Sequence, residues 1–258
     1  MVPCQPQKEK IYNDYKRLTD MCTTCGCGDP ANHHHHHHHD NGDGQETTLR
    51  LEADILGENN SNAAWNRGWL AAKHVTAVNI VSSPGSGKTS LLEATVKAIG
   101  NKRPIAVIEG DQHTDNDARR VASHGVKALQ INTQNGCHLD AHMVGHAIED
   151  LNPIEGSLLL IENVGNLVCP AMFDLGEKDR VVVLSVTEGD DKPLKYPYMF
   201  AGSQVCVINK IDLLPYVDSD VERIKANALQ VNPDLKFFEV SATKGTGIDA
   251  WTEWLLNL

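Results

Sequence analysis

Val81-Ser82-Ser83-Pro84-Gly85-Ser86-Gly87-Lys88-Thr89 is the stretch on which the reading of this chain turns. An apolar run, Ala77–Val81, leads into it, and a helix-like run, Thr89–Ile99, leaves it. Strand, glycine-rich loop and helix in that order make a phosphate-binding turn. Backbone N–H groups ring the anion, and the helix N-terminus adds positive potential. The phosphate-loop pattern is complete except at its first position, where Ser82 stands in place of glycine. Pro84, Gly85, Ser86, Gly87, Lys88, Thr89 and Ser90 are the expected nucleotide contacts. Lys88 would bridge the β- and γ-phosphates, and the Thr89 hydroxyl would bind Mg²⁺.

Further apolar runs of strand length follow at Ile105–Ile108, Ala128–Ile131, Ser157–Ile161, Val181–Val186, Val205–Ile208 and Lys236–Val240. Helix-like stretches such as His138–Leu151 separate most of them. Continuous rather than alternating apolar runs mean strands buried on both faces. Strands alternating with helices predict an α/β domain with a doubly wound, mostly parallel sheet and helices on both faces. Ligands of such sheets sit at the carboxyl ends of the strands. The expected nucleotide domain spans residues 74–258. Residues 49–73 read as an amphipathic helical lead-in, from Leu49, Leu51, Ile55 and Leu56 followed by Trp65, Trp69 and Leu70, with a break near Gly57-Glu58-Asn59-Asn60. Residues 1–48 are rich in glycine and polar side chains, so little apolar surface offsets the entropy of ordering. They predict a flexible Cys/His-rich segment that folds only around metal.

Strand ends supply the next elements. Val205-Cys206-Val207-Ile208 runs into Asn209-Lys210-Ile211-Asp212, the Asn-Lys-x-Asp signature of GTPases. A carboxylate at Asp212 accepts from both guanine N1–H and the N2 amino group, a donor pair that adenine lacks. A site built on that pairing leaves buried polar groups unpaired when the wrong base enters. Asn209 would bridge base site and phosphate loop, and the stem of Lys210 would lie over the ring. Ser241-Ala242-Thr243-Lys244 follows the last strand, its backbone amides placed to meet guanine O6. For catalysis the candidates beside Lys88 are Asp111, favoured for water and Mg²⁺, and Glu162, favoured for a second switch element. Arg119 and Arg120 are weak candidates for an arginine finger, so intrinsic turnover is expected to be slow.

The 258 residues carry a net charge of −11, from 23 basic and 34 acidic side chains. That balance disfavours nucleic acid and anionic membrane as partners. No apolar run reaches the roughly 18 residues of a membrane span, and the polar opening MVPCQPQKEK lacks a signal-peptide core. A cytoplasmic location is expected. There the seven cysteines point to metal or redox chemistry rather than to a disulfide framework. Cys22, Cys25 and Cys27 place three thiolates within six residues, ligands that suit Ni²⁺ and Zn²⁺. The internal run His33–His39 would buffer the same ions weakly. Cys137-His138 opens a helix-like stretch, and Cys169 lies seven residues beyond Glu162, on the element whose shape should depend on γ-phosphate. Cys4 and Cys206 read as incidental.

Together these segments resemble the HypB family of nickel-inserting GTPases of [NiFe]-hydrogenase maturation. The resemblance runs from about Met21 to the C-terminus. It rests on Cys22-Thr-Thr-Cys-Gly-Cys-Gly28, the phosphate loop, Glu109-Gly-Asp-Gln112, Gly136-Cys-His-Leu-Asp140, Glu162-Asn-Val-Gly-Asn-Leu-Val-Cys-Pro170 and Asn209-Lys-Ile-Asp212. It implies GTP and GDP as ligands with Mg²⁺, and a homodimer in the GTP state. It also implies a Ni²⁺ or Zn²⁺ site at Cys137, His138 and Cys169, and a separate site at Cys22, Cys25 and Cys27. Handover with a HypA-type accessory protein and delivery to the hydrogenase large subunit are implied as well. Twenty residues precede Met21. Translation from Met21, with methionine removed, would free the Cys22 amine as a fourth ligand; translation from Met1 would not. Two competing readings are a urease-type nickel GTPase and a nickel or zinc storage protein whose GTP site controls assembly.

Overall fold

The computed structural model describes residues 43–111, 116–133 and 136–258, with the side chains of residues 43–53 and 116 excepted. The expected ligands Cys22, Cys25 and Cys27, the His33–His39 run and the expected flexibility before residue 43 lie outside the described residues.

Helix α1 spans Asp43–Ala72. There follow β1 Thr76–Ser82, α2 Lys88–Ile99, β2 Ile105–Asp111, α3 Asn116–Ala122, β3 Lys127–Asn132, α4 Ala141–Leu151, β4 Leu158–Gly165 and β5 Asp179–Ser185. The short helices α5 Lys192–Lys195 and α6 Pro197–Ala201 precede β6 Val205–Asn209, α7 Val221–Val231, β7 Lys236–Glu239 and α8 Ile248–Leu256. The seven strands form one sheet in the order β3-β2-β4-β1-β5-β6-β7, and every pairing is parallel. Each apolar run of strand length is a strand, as its continuous hydrophobicity requires.

Strand alternation splits the core. Val78 and Ile80 of β1 face Leu91, Leu92 and Val96 of α2 and Trp251 and Leu255 of α8. Ala77 packs with Leu70 of α1 and Val144 and Ile148 of α4. Val81 joins Phe200 of α6 and Ile224 of α7. Because β1 lies between β4 and β5, chain connections diverge on either side of it and leave a crevice above its carboxyl end. The phosphate loop starts there.

Two sequence expectations are corrected. Helix α1 is continuous through Gly57-Glu58-Asn59-Asn60 and begins at Asp43, ahead of the expected boundary at 49. Asparagine breaks helices by competing locally for the backbone. Here Asn59 Nδ2 donates to Asp174 O at 2.8 Å and Asn59 Oδ1 accepts from Ala141 N at 2.9 Å. Asn66 Nδ2 likewise donates to Ala141 O at 2.8 Å and Leu175 O at 3.0 Å. Distant partners thus engage both side chains, and Gly57 costs the helix only about 1 kcal/mol. The helix is seated by Asn59, Ala63, Asn66 and Leu70 rather than by a broad apolar stripe, and Trp65 stays half exposed. Helix α4, in turn, starts at Ala141 rather than His138, with the Asp140 carboxylate accepting from Met143 N as its N-cap. Cys137 and His138 therefore lie in the bend before the helix.

Candidate functional site

Gly85 and Gly87 adopt positive φ values of 77° and 95°, which turn the chain from β1 into α2. Gly87 is also confined by space, since a Cβ there would lie 2.6 Å from Asn209 Nδ2. The unusual Ser82 has a use: its Oγ accepts from Lys88 Nζ at 2.7 Å. Burial lowers the Lys88 pKa, opposed by the negative field of Glu162, Glu188, Glu109 and Asp117. Pro84 sits against Gly165 at the end of β4, with a Cβ on Gly165 meeting it at 3.2 Å. The loop is thereby tied to the strand that carries Glu162.

The residues expected to read the base converge on this loop. Asn209 Nδ2 donates to Ser86 O at 3.0 Å and Lys210 Nζ to Gly85 O at 2.6 Å. Asn209 Oδ1 accepts from Lys210 N at 2.8 Å and Ala242 N at 3.2 Å. Ser241 Oγ donates to Asp212 Oδ1 at 2.5 Å, which leaves the second carboxylate oxygen to meet a ligand. Lys210 holds φ 61°, the left-handed turn that aims its neighbours from β6 into the crevice.

Acidic side chains gather beside Thr89. Its Oγ1 donates to Glu162 Oε1 at 3.0 Å and to Asp117 Oδ2 at 3.3 Å. Glu162 and Glu109 are register partners on the paired strands β4 and β2. Both are almost wholly buried, at 5% and 2% exposure. Among the described residues their Oε2 atoms have no hydrogen-bond partner. Burial, reinforced by the Glu162 charge, pushes the Glu109 carboxyl up to about 8. Burial raises Glu162 to about 7, opposed by Lys88 and the Thr89 hydrogen bond. Two orphaned carboxylate oxygens beside a threonine hydroxyl are a donor set that a hard divalent cation fits. Direct contacts to Thr89 come from Glu162 and Asp117, while Asp111, the expected Mg²⁺ and water residue, ends β2 with its carbonyl accepting from Thr133 N at 3.0 Å. Arg120 pairs with Glu93 at 2.6 Å and Asp117 at 3.0 Å.

Glu109, Asp117 and Glu188 escaped the sequence reading. A carboxylate directly after the apolar run Ile105–Ile108 was the signal for Glu109. Glu188 follows β5, accepts from Ser83 Oγ, and lies 3.5 Å from Lys192 Nζ. Nothing local marked Asp117.

Cys137, His138 and Cys169 come together from the segments that follow β3 and β4. Cys137, His138 and Cys169 offer three ligand atoms within 4.8 Å of one another. Cys137 Sγ lies 2.8 Å from Cys169 Sγ and 3.6 Å from His138 Nδ1. His138 stacks on Phe173, ring centroids 3.9 Å apart. Burial lowers its pKa against the raising effect of Asp140, so the ring presents a neutral ligand nitrogen at neutral pH. Two sulfurs and one nitrogen suit a borderline-soft ion and leave a fourth position open. Asn163, next to Glu162 and buried, accepts at Oδ1 from Leu139 N at 3.1 Å. Leu139 packs on Gly110, where a Cβ would meet its side chain at 2.7–2.9 Å. The cysteine loop therefore rests on both acidic strands. Cys206, by contrast, is wholly buried in β6, and burial pushes its thiol up to about 12, so it is inert.

The glycine-rich loop between β1 and α2 and the parallel sheet in this strand order define a P-loop nucleotide-binding protein. The family model "CobW/HypB/UreG, nucleotide-binding domain" matches residues 76–239. Hydrogenase maturation factor HypB of Azotobacter vinelandii is 58% identical over 211 residues, covering 82% of this chain and 70% of the relative. That of Escherichia coli K12 is 53% identical over 211 residues, covering 82% and 73%. Among solved structures, HypB from Archaeoglobus fulgidus superposes with TM-score 0.73 at 45% identity, covering 78% of this chain and 98% of that one. HypB from Helicobacter pylori, solved in complex with nickel, gives TM-score 0.73 at 36% identity, covering 78% and 94%. The chain belongs to the CobW/HypB/UreG family, among the hydrogenase maturation factors HypB. Among the described residues, no helix is long and apolar enough to cross a membrane.

Proposed function

We propose that the chain is a GTP-hydrolysing metallochaperone that binds nickel and delivers it during [NiFe]-hydrogenase maturation. The observation carrying this reading is that one strand, β4, serves both sites: Glu162 bonds Thr89 at 3.0 Å, and its neighbour Asn163 holds Leu139 N of the cysteine loop at 3.1 Å. A change at the γ-phosphate that shifts β4 has a contiguous route to Cys137, His138 and Cys169.

In this reading Asp212 reads guanine while Ser241 Oγ holds its other oxygen. Ser86, Gly87, Lys88, Thr89 and Ser90 cradle the phosphates. Thr89, Glu162 and Asp117 would hold Mg²⁺, with Glu109 behind them, and the ion would neutralise charge on the β- and γ-phosphate oxygens. The buried Glu109–Glu162 pair keeps a proton near the attacking water's expected position, a store for general acid–base work. Nickel is cargo at Cys137, His138 and Cys169, a set that Zn²⁺ also suits. A GTP-state homodimer, a HypA-type donor and the hydrogenase large subunit are the proposed partners. Support comes from the nickel-bound Helicobacter pylori relative and the maturation role in the relatives' names.

The test is nickel affinity of the full chain carrying Cys22→Ser, Cys25→Ser and Cys27→Ser, with GDP and with a non-hydrolysable GTP analogue. A difference between the two states that disappears on adding Cys169→Ser supports the reading. Equal affinities would sink it.

A further inference from the structure

None of the ligands assigned above lies on α1, yet this helix bonds to both segments that carry the sulfurs. One segment is the bend of Cys137 and His138 with the first turn of α4. The other runs from Cys169 to β5. Asn59 Oδ1 accepts from Ala141 N at 2.9 Å, and its Nδ2 donates to Asp174 O at 2.8 Å. Asn66 Nδ2 donates to Ala141 O at 2.8 Å and to Leu175 O at 3.0 Å. Each side chain therefore spans the two segments, with one bond to either. Both are buried, as is Ala63 between them, and their spacing places them two turns apart on one stripe of the helix.

Backbones close up against that stripe at two glycines. A Cβ on Gly145 of α4 would lie 2.8 Å from Asn66 Oδ1, and one on Gly176 would lie 2.7 Å from Ala63 O. Arg67 adds an ion pair to Asp174 at 2.7 Å. Residues 172–178 belong to no helix or strand, so side chains from elsewhere set their pose. Arg180 holds the carbonyls of Ala171 and Phe173 at 3.1 and 2.9 Å, and the two asparagines hold those of Asp174 and Leu175. Arg180 fixes one segment to the sheet. Asn59 and Asn66 fix one segment to the other.

We propose that Asn59 and Asn66 are positioning residues of the Cys137–His138–Cys169 site, and that α1 is the clamp keeping its two halves in register. The inference rests on the reading of that cluster as a metal site. The two sulfurs lie 2.8 Å apart and belong to opposite halves, so a small slip of one segment against the other separates them. Groups that fix the orientation of metal ligands raise affinity without touching the ion. Undocking α1 would loosen the bound ion while every ligand stays in the chain. By reciprocity, an ion held across both halves must tighten α1 against the domain.

Nickel binding to the nucleotide-free full chain, followed by thiolate-to-nickel charge-transfer absorption, tests this. Cys22, Cys25 and Cys27 are changed to serine and His33 through His39 to glutamine. The band must appear in this parent and vanish with Cys169→Ser; without it the metal reading falls and the clamp with it. Given the band, Asn59→Ala and Asn66→Ala should each weaken nickel binding about tenfold. Leu70→Ala loosens the same helix from the core, where Leu70 packs with Val144 and Ile148, and leaves both bridges in place. It should lower the melting temperature while keeping the parent's nickel affinity. Asparagine variants with the parent's affinity, or a loss in Leu70→Ala equal to theirs, would overturn the proposal and leave the metal site standing. Amide exchange needs no further substitution. Nickel should slow exchange along residues 59–70 in the parent, and unaltered rates there would overturn the proposal even if the asparagine variants failed to fold.

Discussion

Replacing Glu109 by glutamine should stabilise the nucleotide-free protein, and by an amount that grows with pH. Glu109 is 2% exposed, and its pKa rises from 4.5 to about 8 on folding. A raised carboxyl pKa means the folded state holds a proton that the unfolded chain has released. Below pH 4.5 both states are protonated and the group is silent. Between 4.5 and 8 stability falls by about 1.4 kcal/mol per pH unit, and above 8 the loss is constant. At pH 7 the accumulated penalty is about 3 kcal/mol, against under about 1 kcal/mol at pH 5 and about 4 kcal/mol at pH 8. Glutamine keeps the shape, removes the titration, and offers an N–H to the partnerless Oε2 of Glu162. A gain of about 3 kcal/mol corresponds to a melting-temperature rise of roughly 6–12 °C. Urea denaturation of both proteins at pH 5, 7 and 8, in chelator and without nucleotide, checks it. A stability difference that is flat across that range would refute the assignment of Glu109 as a buried, proton-holding group. Added Mg²⁺ and nucleotide should shrink the gap, since a cation stabilises the parent's ionised carboxylate.

Three further outcomes are expected. Lys88→Ala should cut phosphate release from GTP by roughly 10²–10³-fold while leaving the circular dichroism spectrum unchanged; turnover within tenfold of the parent would contradict its role. Asp212→Asn should weaken GTP binding by about 1–3 kcal/mol and favour xanthosine triphosphate in competition binding, whereas unaltered GTP affinity would remove Asp212 from base reading. Gly87→Ala combines a φ of 95° with a Cβ placed 2.6 Å from Asn209 Nδ2. It should cost about 1–3 kcal/mol and abolish nucleotide binding, both read from melting curves with and without GTP.

The sheet was legible because buried parallel strands are continuous apolar runs, and each of the seven occurs as a strand; the expected burial on both faces fails at β3 and β7, which are edge strands with no fully buried residue. The convergence of the Gly85–Thr89 loop with Asn209, Asp212 and Ser241 was legible because each lies just past its own strand, where parallel topology gathers strand ends. What escaped depends on register between distant segments. Glu109 matters because β2 pairs with β4 so that it faces Glu162, and no property of either strand alone states that pairing. Asp117 acts on Thr89 from α3 across a gap in sequence, and Glu188 reaches Ser83 from beyond β5. The helix break expected at Asn59 failed for the same reason, since that side chain serves Asp174 and Ala141 rather than its own backbone.

The seating of Leu139 on Gly110 carries a consequence for how such chains can diverge. A methyl group at 110 would stand 2.7–2.9 Å from the leucine side chain, so the two positions are not free to vary one at a time. A lineage that acquires alanine at 110 must first trade the leucine for something smaller, and then loses the buried apolar anchor that keeps the cysteine loop in place. The route back is equally narrow. Positions 110 and 139, neither of them a ligand, should therefore be inherited as a matched set, and their joint pattern across relatives would mark which chains hold this loop in the same pose.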